Sequence, residues 1–320
     1  MQLSIVIPLL NEQDSLEELF SRIKKICNQY DYNFEVIFVD DGSTDDSWQV
    51  IEYMSKFNPE IKAIRFRKNY GKSQALSAAF AQAEGQVIIT MDADLQDFPE
   101  EIPNLYSMLI NKQADIVSGW KQKRQDPKFT KNLPSKLFNA VARKTSGLQL
   151  HDFNCGLKAY RAEVAKSLEL YGDMHRYIPV LAKYNGYGNI IEKQVRHQAR
   201  KYGVSKFGTS RFVNGFLDLI TLSFISKFGN RPMHIFGLLG SVMFVMGFFC
   251  AAYIGLDKLM KVYITKTPAR LVTDNPYFYI ALISMVLGTQ LFLAAFLGEL
   301  IIRKTSDKKM YAIKDQINIY

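Results

Sequence analysis

Residues 87–96 read VIITMDADLQ, an apolar run followed directly by two carboxylates and an amide. The first three residues are β-branched, which predicts a buried strand. Alternate residues of a strand share a face, so we expect Asp92, Asp94 and Gln96 to converge on one point. Three converging oxygen donors are unfavourable unless a cation lies between them, and the stretch therefore predicts a cation-binding site.

The first 125 residues alternate between β-rich and helical segments. Strands are predicted at Leu3–Pro8, Phe34–Asp40, Ile61–Arg67, Gln86–Asp92 and Asp115–Trp120. Helices are predicted at Ser15–Gln29, Ser47–Phe57, Ser73–Gln82 and Pro99–Asn111. This order predicts an α/β fold with a mostly parallel sheet covered on both faces.

Polar segments follow three of the predicted strands. They are PLLNE after the first strand, DDGSTD after the second and DADLQ after the fourth. Ligands of such sheets bind beyond the carboxyl ends of the strands, so these segments are expected to form one site. An Asp-x-Asp pair alone is also typical of solvated turns and helix caps. Delivered by a buried strand, two carboxylates and an amide oxygen instead suit Mg²⁺ or Mn²⁺.

Composition narrows the class of protein. The 320-residue chain has a net charge of +9, which indicates an anionic partner such as nucleotide phosphates, nucleic acid or a membrane surface. Its three cysteines form no Cys-x-x-Cys pair, so a reduced, cytosol-facing protein is expected. The opening MQLSIVIPLLNE lacks a basic region before its apolar run and is interpreted as a core strand.

Two long apolar segments, 233–256 and 277–302, occupy the second half. Each is long enough to cross a bilayer, whereas helices buried in a soluble core seldom run so far without charge. Basic residues before the first span and after the second favour a cytoplasmic N-terminal domain, although the loop between the spans is also basic. Gly237, Gly240 and Gly288 permit close helix contacts, including contacts between copies of the chain.

A periodic segment precedes the first span. Between Arg211 and Phe228 an aromatic or aliphatic residue recurs at every fourth position, which predicts an in-plane interfacial helix or, alternatively, a helix facing the soluble core. The predicted organisation is a soluble domain at 1–209, an amphipathic helix at 210–230, a two-span region at 231–303 and a cytoplasmic tail at 304–320.

Several motifs together resemble a known family. VIPLLNE, VIFVDDGSTDDS, RKNYGKSQAL and MDADLQDFPE, in this order, are similar to the family 2 glycosyltransferases with a GT-A fold. The later LHDFNCGLKAYR and RKYGVSKFG, with two C-terminal spans, look like the polyisoprenyl-phosphate glycosyltransferases. That group includes dolichol-phosphate mannose synthases and bacterial undecaprenyl-phosphate sugar transferases.

The resemblance implies a nucleotide-sugar site and a metal site. The nucleotide-sugar residues are Pro8, Asn11, Glu12, Asp40, Asp41, Lys72 and Asp92. Asp94 and Gln96 are implied as the closest ligands of Mg²⁺ or Mn²⁺, and Asp92 and Asp152 as the catalytic acids. Asp152 is expected to position the donor sugar rather than remove a proton. The alternatives are a strand-end turn residue for Asp40, a solvated helix-start lysine for Lys72 and a turn-capping acid for Asp152.

Basic residues are expected to hold the acceptor phosphate. The candidates are Lys121, Arg124, Lys131, Ser135, Arg200, Lys201 and Lys206. Lysine replaces the arginine usual in the family at two of these positions, and it gives a point charge instead of a planar fork. Each basic residue could instead attract anionic lipid headgroups, worth about 1 kcal/mol apiece near the surface.

The implied function is the metal-dependent, inverting transfer of one sugar from a nucleotide-sugar to a polyprenyl phosphate. The expected nucleotide is UDP rather than GDP. The expected location is the cytoplasmic face of a bacterial inner membrane. A processive synthase would need a Gln-x-x-Arg-Trp signature, and the only tryptophans, Trp48 and Trp120, do not form one. The alternative from another class is a non-catalytic membrane scaffold or lipid-carrier accessory with a relic glycosyltransferase fold. A nucleic-acid binder would explain the charge but neither the acids nor the spans.

Overall fold

The computed structural model describes residues 1–121, 142–143, 146–170, 172–198, 201, 233–268, 270–305 and 313–318. Contacts divide the chain into two compact units. The first unit comprises Met1–Ser226 with Lys309–Tyr320, and the second comprises Lys227–Lys308. The amphipathic helix expected at 210–230 lies outside the described residues.

The first unit is built on an α/β sheet whose first half follows the predicted order. Its opening strands are β1 (Leu3–Leu9), β2 (Phe34–Asp40), β3 (Ile61–Phe66) and β4 (Val87–Thr90). They pair in parallel, with β1 between β2 and β4, and β3 beyond β2. The connecting helices are α1 (Leu16–Gln29), α2 (Ser47–Ser55), α3 (Lys72–Gln82) and, after a 3₁₀ turn at Pro99–Glu101, α4 (Ile102–Asn111). These bounds confirm the predicted strand–helix alternation.

The second half of the sheet mixes strand directions. It contains β5 (Ile116–Trp120), β6 (Lys158–Arg161), β7 (Ile190–Gln194) and β8 (Ile313–Ile317), in the sheet order β7-β5-β6-β4-β1-β2-β3-β8. β6 runs antiparallel to both β4 and β5, and β8 runs antiparallel to β3. Two shorter helices, α5 (Ala162–Lys166) and α6 (Ile178–Tyr184), belong to this half. Five residues of the expected tail thus form an edge strand of the sheet.

Apolar residues fill both faces of the sheet. Every residue of β1 is buried, as expected for a strand covered on both sides. One core cluster joins a sheet face to α1, α2 and α4, and a second joins the opposite face to α3, α5 and α6. This double covering fixes the strands in register, so that the loops after β1, β2 and β4 leave the sheet at its carboxyl edge.

The end of β4 differs from the prediction. The strand stops at Thr90 instead of Asp92, and Leu95 adopts a left-handed conformation with φ of 58°. The expectation that Asp92, Asp94 and Gln96 share one strand face is therefore wrong, because all three lie on a loop. A backbone that leaves the β region loses the two-residue alternation on which that argument rested.

The second unit contains two long apolar helices, α7 (Leu238–Leu259) and α8 (Pro276–Thr305). With adjoining turns, Met233–Ile264 and Pro276–Leu300 are long and apolar enough to cross a membrane. Only 17% of the most apolar window of each is buried, and Met246, for example, is 67% exposed. Core helices of a soluble protein bury such side chains, whereas helices surrounded by lipid do not.

Two glycines bring α7 and α8 into close contact. A Cβ atom on Gly240 would lie 2.5 Å from the carbonyl oxygen of Gly288, and the reverse distance is the same. A side chain at either position would force the helices apart, as in other small-residue contacts between membrane helices. Gly237 instead faces Met233 of its own segment. Gly240 and Gly288 thus serve a contact within the chain.

Candidate active site

The loops after β1 and β2 are joined by hydrogen bonds. The Asn11 N–H donates to Ser43 Oγ at 2.9 Å, and Asn11 Oδ1 accepts the Thr44 N–H at 2.8 Å. The Glu12 N–H donates to Ser47 Oγ at 3.0 Å. Asn11 reaches this geometry with a φ of 52°, a left-handed conformation that asparagine tolerates better than most residues. The two segments predicted to receive the nucleoside therefore form one structure.

Asp40 and Asp41 are adjacent in sequence but serve different contacts. Asp40 is fully buried, its Oδ1 accepts the Ser43 N–H at 2.7 Å, and its Oδ2 lies 3.5 Å from Arg65 Nε. These are the contacts of a strand-end turn residue, the alternative left open by the sequence, and a role of Asp40 in nucleotide binding stays a prediction. The Asp41 carboxylate instead accepts the N–H groups of Tyr70 and Gly71, at 2.7 and 2.9 Å.

Asp41 connects the β2 end to the start of α3. Burial raises the pKa of its carboxyl above the ordinary value, while the two backbone N–H groups oppose that rise and Asp40 adds to it. The backbone segment that Asp41 holds leads directly into Lys72, the first residue of α3. By holding the backbone of Tyr70 and Gly71, Asp41 fixes the position of the Lys72 backbone.

Lys72 and Asp92 form an ion pair across the site. Burial acts to raise the pKa of the Asp92 carboxyl, but the ammonium groups of Lys72 and Lys121 outweigh it and hold that pKa well below its usual range. A Cβ atom at position 156 would lie 2.8 Å from Asp92 Cγ, so Gly156 leaves the space that this carboxylate occupies. The structure thus brings Lys72 and Asp92 together, as predicted for one site.

Asp94 and Gln96 lie on the same loop. Asp94 is 9% exposed and its Oδ1 accepts the Gln96 N–H at 3.2 Å. Gln198 fastens this loop, because its Nε2 donates to the Leu95 carbonyl oxygen at 2.6 Å and its N–H donates to that of Gln96 at 3.1 Å. The loop geometry is therefore fixed by backbone contacts from a distant segment.

The donor set of this loop fits a hard divalent cation. It offers carboxylate and amide oxygens and no thiolate or imidazole, the ligand chemistry of Mg²⁺ or Mn²⁺. No group of three or more histidine, cysteine or acidic side chains is arranged to hold a metal within the described part of the chain. An ion at Asp94 and Gln96 would take its other ligands from water and phosphate, as Mg²⁺ commonly does.

Lys121 lies next to the loop at residues 92–97, called the acid loop below. Its side chain is 11% exposed, and its Nζ lies 2.7 Å from Asp97 Oδ1. Burial acts to lower the pKa of Lys121, but the acidic groups of Cys155, Asp97 and Asp92 hold it above the usual range. The residue predicted to bind the acceptor phosphate is therefore ion-paired inside the protein in this structure.

The remaining predicted acceptor residues divide between exposed and undescribed positions. Lys201 is exposed, and its Nζ lies 2.6 Å from Glu18 Oε2. Outside the described residues lie Arg124, Lys131, Ser135, Arg200 and Lys206. Their role as acceptor-phosphate ligands stays a prediction.

Asp152 is placed behind the wall of the site. It is 2% exposed, its Oδ1 accepts the Asn154 N–H at 3.1 Å, and its own N–H donates to Glu192 Oε1 at 2.9 Å. The turn formed by this contact presents Asn154 and Cys155 to the adjacent cleft. Asp152 thus has the turn-forming contact that the sequence left as an alternative to a sugar contact.

A cleft that is open to solvent lies beside the ends of β1 and β4. Its predicted wall residues are Pro8, Lys72 and Asp92, and those that sequence reasoning missed are Asn154, Lys158, Tyr160 and His175. Lys158 and Tyr160 lie in the motif LHDFNCGLKAYR, so recognition of that segment as a strand would have found them. His175 lies in a 3₁₀ turn at Met174–Tyr177, and no sequence pattern pointed to it.

The fold and the site define a class of enzyme. Residues 4–169 match the family model described as glycosyl transferase family 2, so the chain belongs to that family. Glucosyl-3-phosphoglycerate synthase from Mycobacterium tuberculosis, solved in complex with uridine diphosphate, has the same fold. The match has a TM-score of 0.55 and 20% identity, and it covers 70% of this chain and 79% of the synthase. The predicted GT-A fold and the predicted glycosyltransferase class are confirmed.

Two relatives match nearly the whole chain. Dodecaprenyl-phosphate galacturonate synthase of Rhizobium johnstonii is 33% identical over 305 residues, which cover 95% of this chain and 88% of the relative. Undecaprenyl-phosphate 4-deoxy-4-formamido-L-arabinose transferase of Proteus mirabilis is 34% identical over 308 residues, 96% of this chain and 90% of the relative. The resemblance to the polyprenyl-phosphate group of the family is confirmed.

Proposed function

We propose that this protein transfers a single sugar from a nucleotide-sugar to a polyprenyl phosphate. The observation that carries the proposal is the cleft at the ends of β1 and β4, where Lys72 and Asp92 meet beside the acid loop. Relatives named for transfer to dodecaprenyl or undecaprenyl phosphate support the acceptor, because they align with 95% and 96% of this chain. Their sugars differ, and the likeness does not select between them.

The nucleotide is proposed to lie on the joined loops after β1 and β2. Asn11, Glu12 and Asp41 are the residues assigned to the base and ribose, with UDP as the expected nucleotide rather than GDP. A neighbour with this fold was solved with Mn²⁺ and UDP-glucose, which supports the pairing of a divalent metal with a uridine nucleotide on this scaffold. Bound Mg²⁺ or Mn²⁺ at Asp94 and Gln96 would supply positive charge that stabilises the departing nucleoside diphosphate.

The chain's own residues then bind and align the reactants. Lys72 begins α3 and is about one-third exposed, so its ammonium and the helix N-terminus are placed to bind phosphate oxygens. The acceptor phosphate has a second pKa near 6 and is already largely anionic at neutral pH. The protein therefore needs to align this oxygen with the anomeric carbon rather than remove a proton. In-line displacement inverts the anomeric configuration.

Asp152 is proposed to act as a positioning residue. Its contact with the Asn154 N–H fixes a turn that forms one wall of the cleft. Replacement by asparagine would weaken sugar alignment without shifting the pH–rate profile. A profile that follows Asp152 titration and disappears in Asp152→Asn would instead identify it as a base.

The membrane half is proposed to keep the enzyme beside its acceptor. A polyprenyl tail cannot enter water, so two spans hold the enzyme in the bilayer that contains it. Basic residues at the outer ends of the spans favour a catalytic domain on the cytoplasmic side of the inner membrane. Reporter fusions at residue 268, between the spans, and at the C-terminus test this orientation.

The direct test is a transfer assay with the full-length protein in detergent. Undecaprenyl phosphate, Mg²⁺ or Mn²⁺ and a panel of labelled UDP- and GDP-sugars are incubated, and label is counted in the organic phase. Transfer of one sugar that is lost with EDTA and in Asp94→Ala supports the proposal. Exposed Asp14→Asn is the matched control and should remain active. Nucleotide-sugar binding without transfer from any donor would favour the scaffold alternative.

A further inference from the structure

Leu95 lies between the two residues assigned to the metal, Asp94 and Gln96, and its backbone is strained. Its φ of 58° is a left-handed conformation that a bulky apolar residue seldom adopts, so surrounding contacts must hold it there. Because Asp94 and Gln96 leave the chain on either side of Leu95, this conformation sets the relative directions of their side chains. The contacts of Leu95 therefore bear on the metal site.

Gln198 supplies such contacts from the segment that follows β7. Its side-chain Nε2 donates to the Leu95 carbonyl oxygen at 2.6 Å, and its N–H donates to the Gln96 carbonyl oxygen at 3.1 Å. In a longer contact, Gln96 Nε2 donates to the Gln198 carbonyl oxygen at 3.5 Å. That contact directs the Gln96 amide nitrogen, which cannot bind a cation, toward Gln198. One residue thus contacts both the strained backbone and an assigned ligand.

The sheet places Gln198 beside the acid loop. β5 and β7 pair in parallel, and beyond that pairing the Val195 N–H donates to the Trp120 carbonyl oxygen at 3.1 Å. His197 then forms an isolated β-bridge with Asp97, the last residue of the acid loop. Gln198 follows directly, so backbone pairing that begins in the sheet continues as far as the loop assigned to the metal.

Lys121 holds the end of the acid loop at Asp97. Its Nζ lies 2.7 Å from Asp97 Oδ1, and the Asp97 side chain is fully buried. His197 Nδ1 lies 3.7 Å from the same oxygen. This attachment lies outside the stretch that carries the assigned ligands, whereas Gln198 contacts that stretch itself. Gln198 is therefore the better candidate for a residue that orients the ligands.

We infer that Gln198 is a positioning residue of the metal site, which holds the acid loop so that Asp94 and Gln96 face one Mg²⁺ or Mn²⁺ ion. This inference rests on the proposed function and assigns a further residue to the same site. Partners that orient metal ligands from outside typically change metal affinity by about 10- to 100-fold when they are replaced. A residue that only packs against the loop would change stability and leave metal affinity as it was.

The affinity for Mn²⁺ tests this inference. Mn²⁺ is added to the full-length protein in detergent with saturating UDP, and the free ion is measured by electron paramagnetic resonance. Gln198→Met keeps the length of the side chain but removes the donor to Leu95, and it should raise the Kd of Mn²⁺ about 10- to 100-fold. The Kd of UDP without metal should change by less than about threefold. Transfer at saturating Mn²⁺ should recover to within about threefold of the wild-type rate.

Three further variants separate positioning from folding. Gln198→Asn keeps the amide but shortens the side chain, so it should raise the Kd of Mn²⁺ less than Gln198→Met, and it also serves where the methionine variant does not fold. Gln29→Met, at the exposed end of α1, is the matched control and should leave that Kd unchanged. Asp94→Ala should abolish Mn²⁺ binding, which shows that the ion occupies the acid loop.

The outcomes distinguish this inference from the proposed function. An unchanged Kd of Mn²⁺ in Gln198→Met, even with a lower melting temperature, overturns the inference and leaves the proposed function standing. Mn²⁺ binding that survives Asp94→Ala also overturns it, because the ion would then lie elsewhere, and so do equal losses of Mn²⁺ and UDP affinity. If the wild type transfers no sugar, the proposed function fails, and the ratio of the Mn²⁺ affinities still decides the role of Gln198.

Discussion

The loops after β2 and β4 leave the sheet on either side of β1, yet they hold their carboxylates by different means. Asp41 is bound by two backbone N–H groups, those of Tyr70 and Gly71. Asp92 is bound by a side chain, the ammonium of Lys72. Backbone partners belong to the fold and remain in place, whereas a side-chain partner can change rotamer, so we expect it to exchange when another ion binds.

This difference separates two halves of the site. We call the part around Asp41 the prebuilt half and the part around Lys72 and Asp92 the exchangeable half. Around Asp41, the half assigned to the nucleoside, the backbone contacts of the carboxylate are already made. Around Asp92 the opposite charges of Lys72 and Asp92 neutralise each other, and the arrival of a diphosphate and a metal would give each of them a new partner. We therefore expect substitutions in the first half to change binding and substitutions in the second half to change transfer.

The largest effect is expected at Asp94. Asp94→Ala removes the carboxylate assigned to the metal and should lower the transfer rate by on the order of 10²–10³-fold, comparable to the loss of other transition-state charge contacts. UDP affinity in the absence of metal should stay within about threefold. Single-turnover transfer and calorimetry measure the two quantities. Equal losses in both would remove the distinction between the halves.

Asp41 tests the prebuilt half. Asp41→Asn removes the charge that binds two N–H groups and is assigned to the nucleoside, and hydrogen bonds to charged groups are worth about 1.5–3 kcal/mol. The Kd of UDP should rise about 10- to 100-fold, while kcat at saturating donor changes much less. Exposed Asp31→Asn is the matched control. A variant with unchanged Kd and reduced kcat would assign Asp41 to the transfer step instead.

The prediction from sequence succeeded where local pattern decides structure. Strands β1 to β5 and helices α1 to α4 follow apolar periodicity, and their observed bounds differ from the predicted ones by no more than three residues. The same pattern located the acid loop but not its geometry. Leu95 has a positive φ, which is uncommon for an apolar residue and could not be predicted from its type. The predicted strand therefore extended past the observed end of β4.

The missed elements depend on tertiary contacts. β6 lies between β4 and β5, but its sequence KAYR begins with lysine and ends with arginine. These charged residues do not match the apolar pattern that predicts a buried strand. β8 lies about 250 residues from its partner β3, so no local signal connects them. His175 reaches the cleft because its 3₁₀ turn, Met174–Tyr177, packs against α3. Long-range packing of this kind is not encoded in any short window of the chain.

Asp40 provides the matched contrast to its neighbour Asp41. Asp40→Asn should lower the free energy of unfolding by about 1–3 kcal/mol, because the fully buried carboxylate that accepts the Ser43 N–H and faces Arg65 loses its charge. The Kd of UDP should change by less than about threefold in the folded protein. Thermal unfolding and calorimetry test both. A large rise in Kd at unchanged stability would return Asp40 to the nucleotide site.

The smallest effect is a pH dependence of stability from His175. Burial and then the nearby cations Lys72 and Arg176 hold the pKa of His175 well below 6.5, and its Nδ1 lies 3.1 Å from Ser73 Oγ. The folded protein keeps this histidine neutral, whereas the unfolded chain takes up a proton below about pH 6.5. Stability from this group is therefore complete above that pH and is lost as the pH falls, by at most about 1.4 kcal/mol per unit.

His175→Gln removes the titrating ring and keeps a polar side chain beside Ser73. Between about pH 7 and pH 5 the wild type should lose more of its melting temperature than the variant, by roughly 2–4 °C for each kcal/mol. Acids elsewhere titrate equally in both proteins, so only the difference between the two slopes reports on His175. If the melting temperatures of the wild type and the variant fell equally with pH, the His175 ring would accept a proton in the folded state. The exchangeable half would then tolerate a further positive charge beside Lys72.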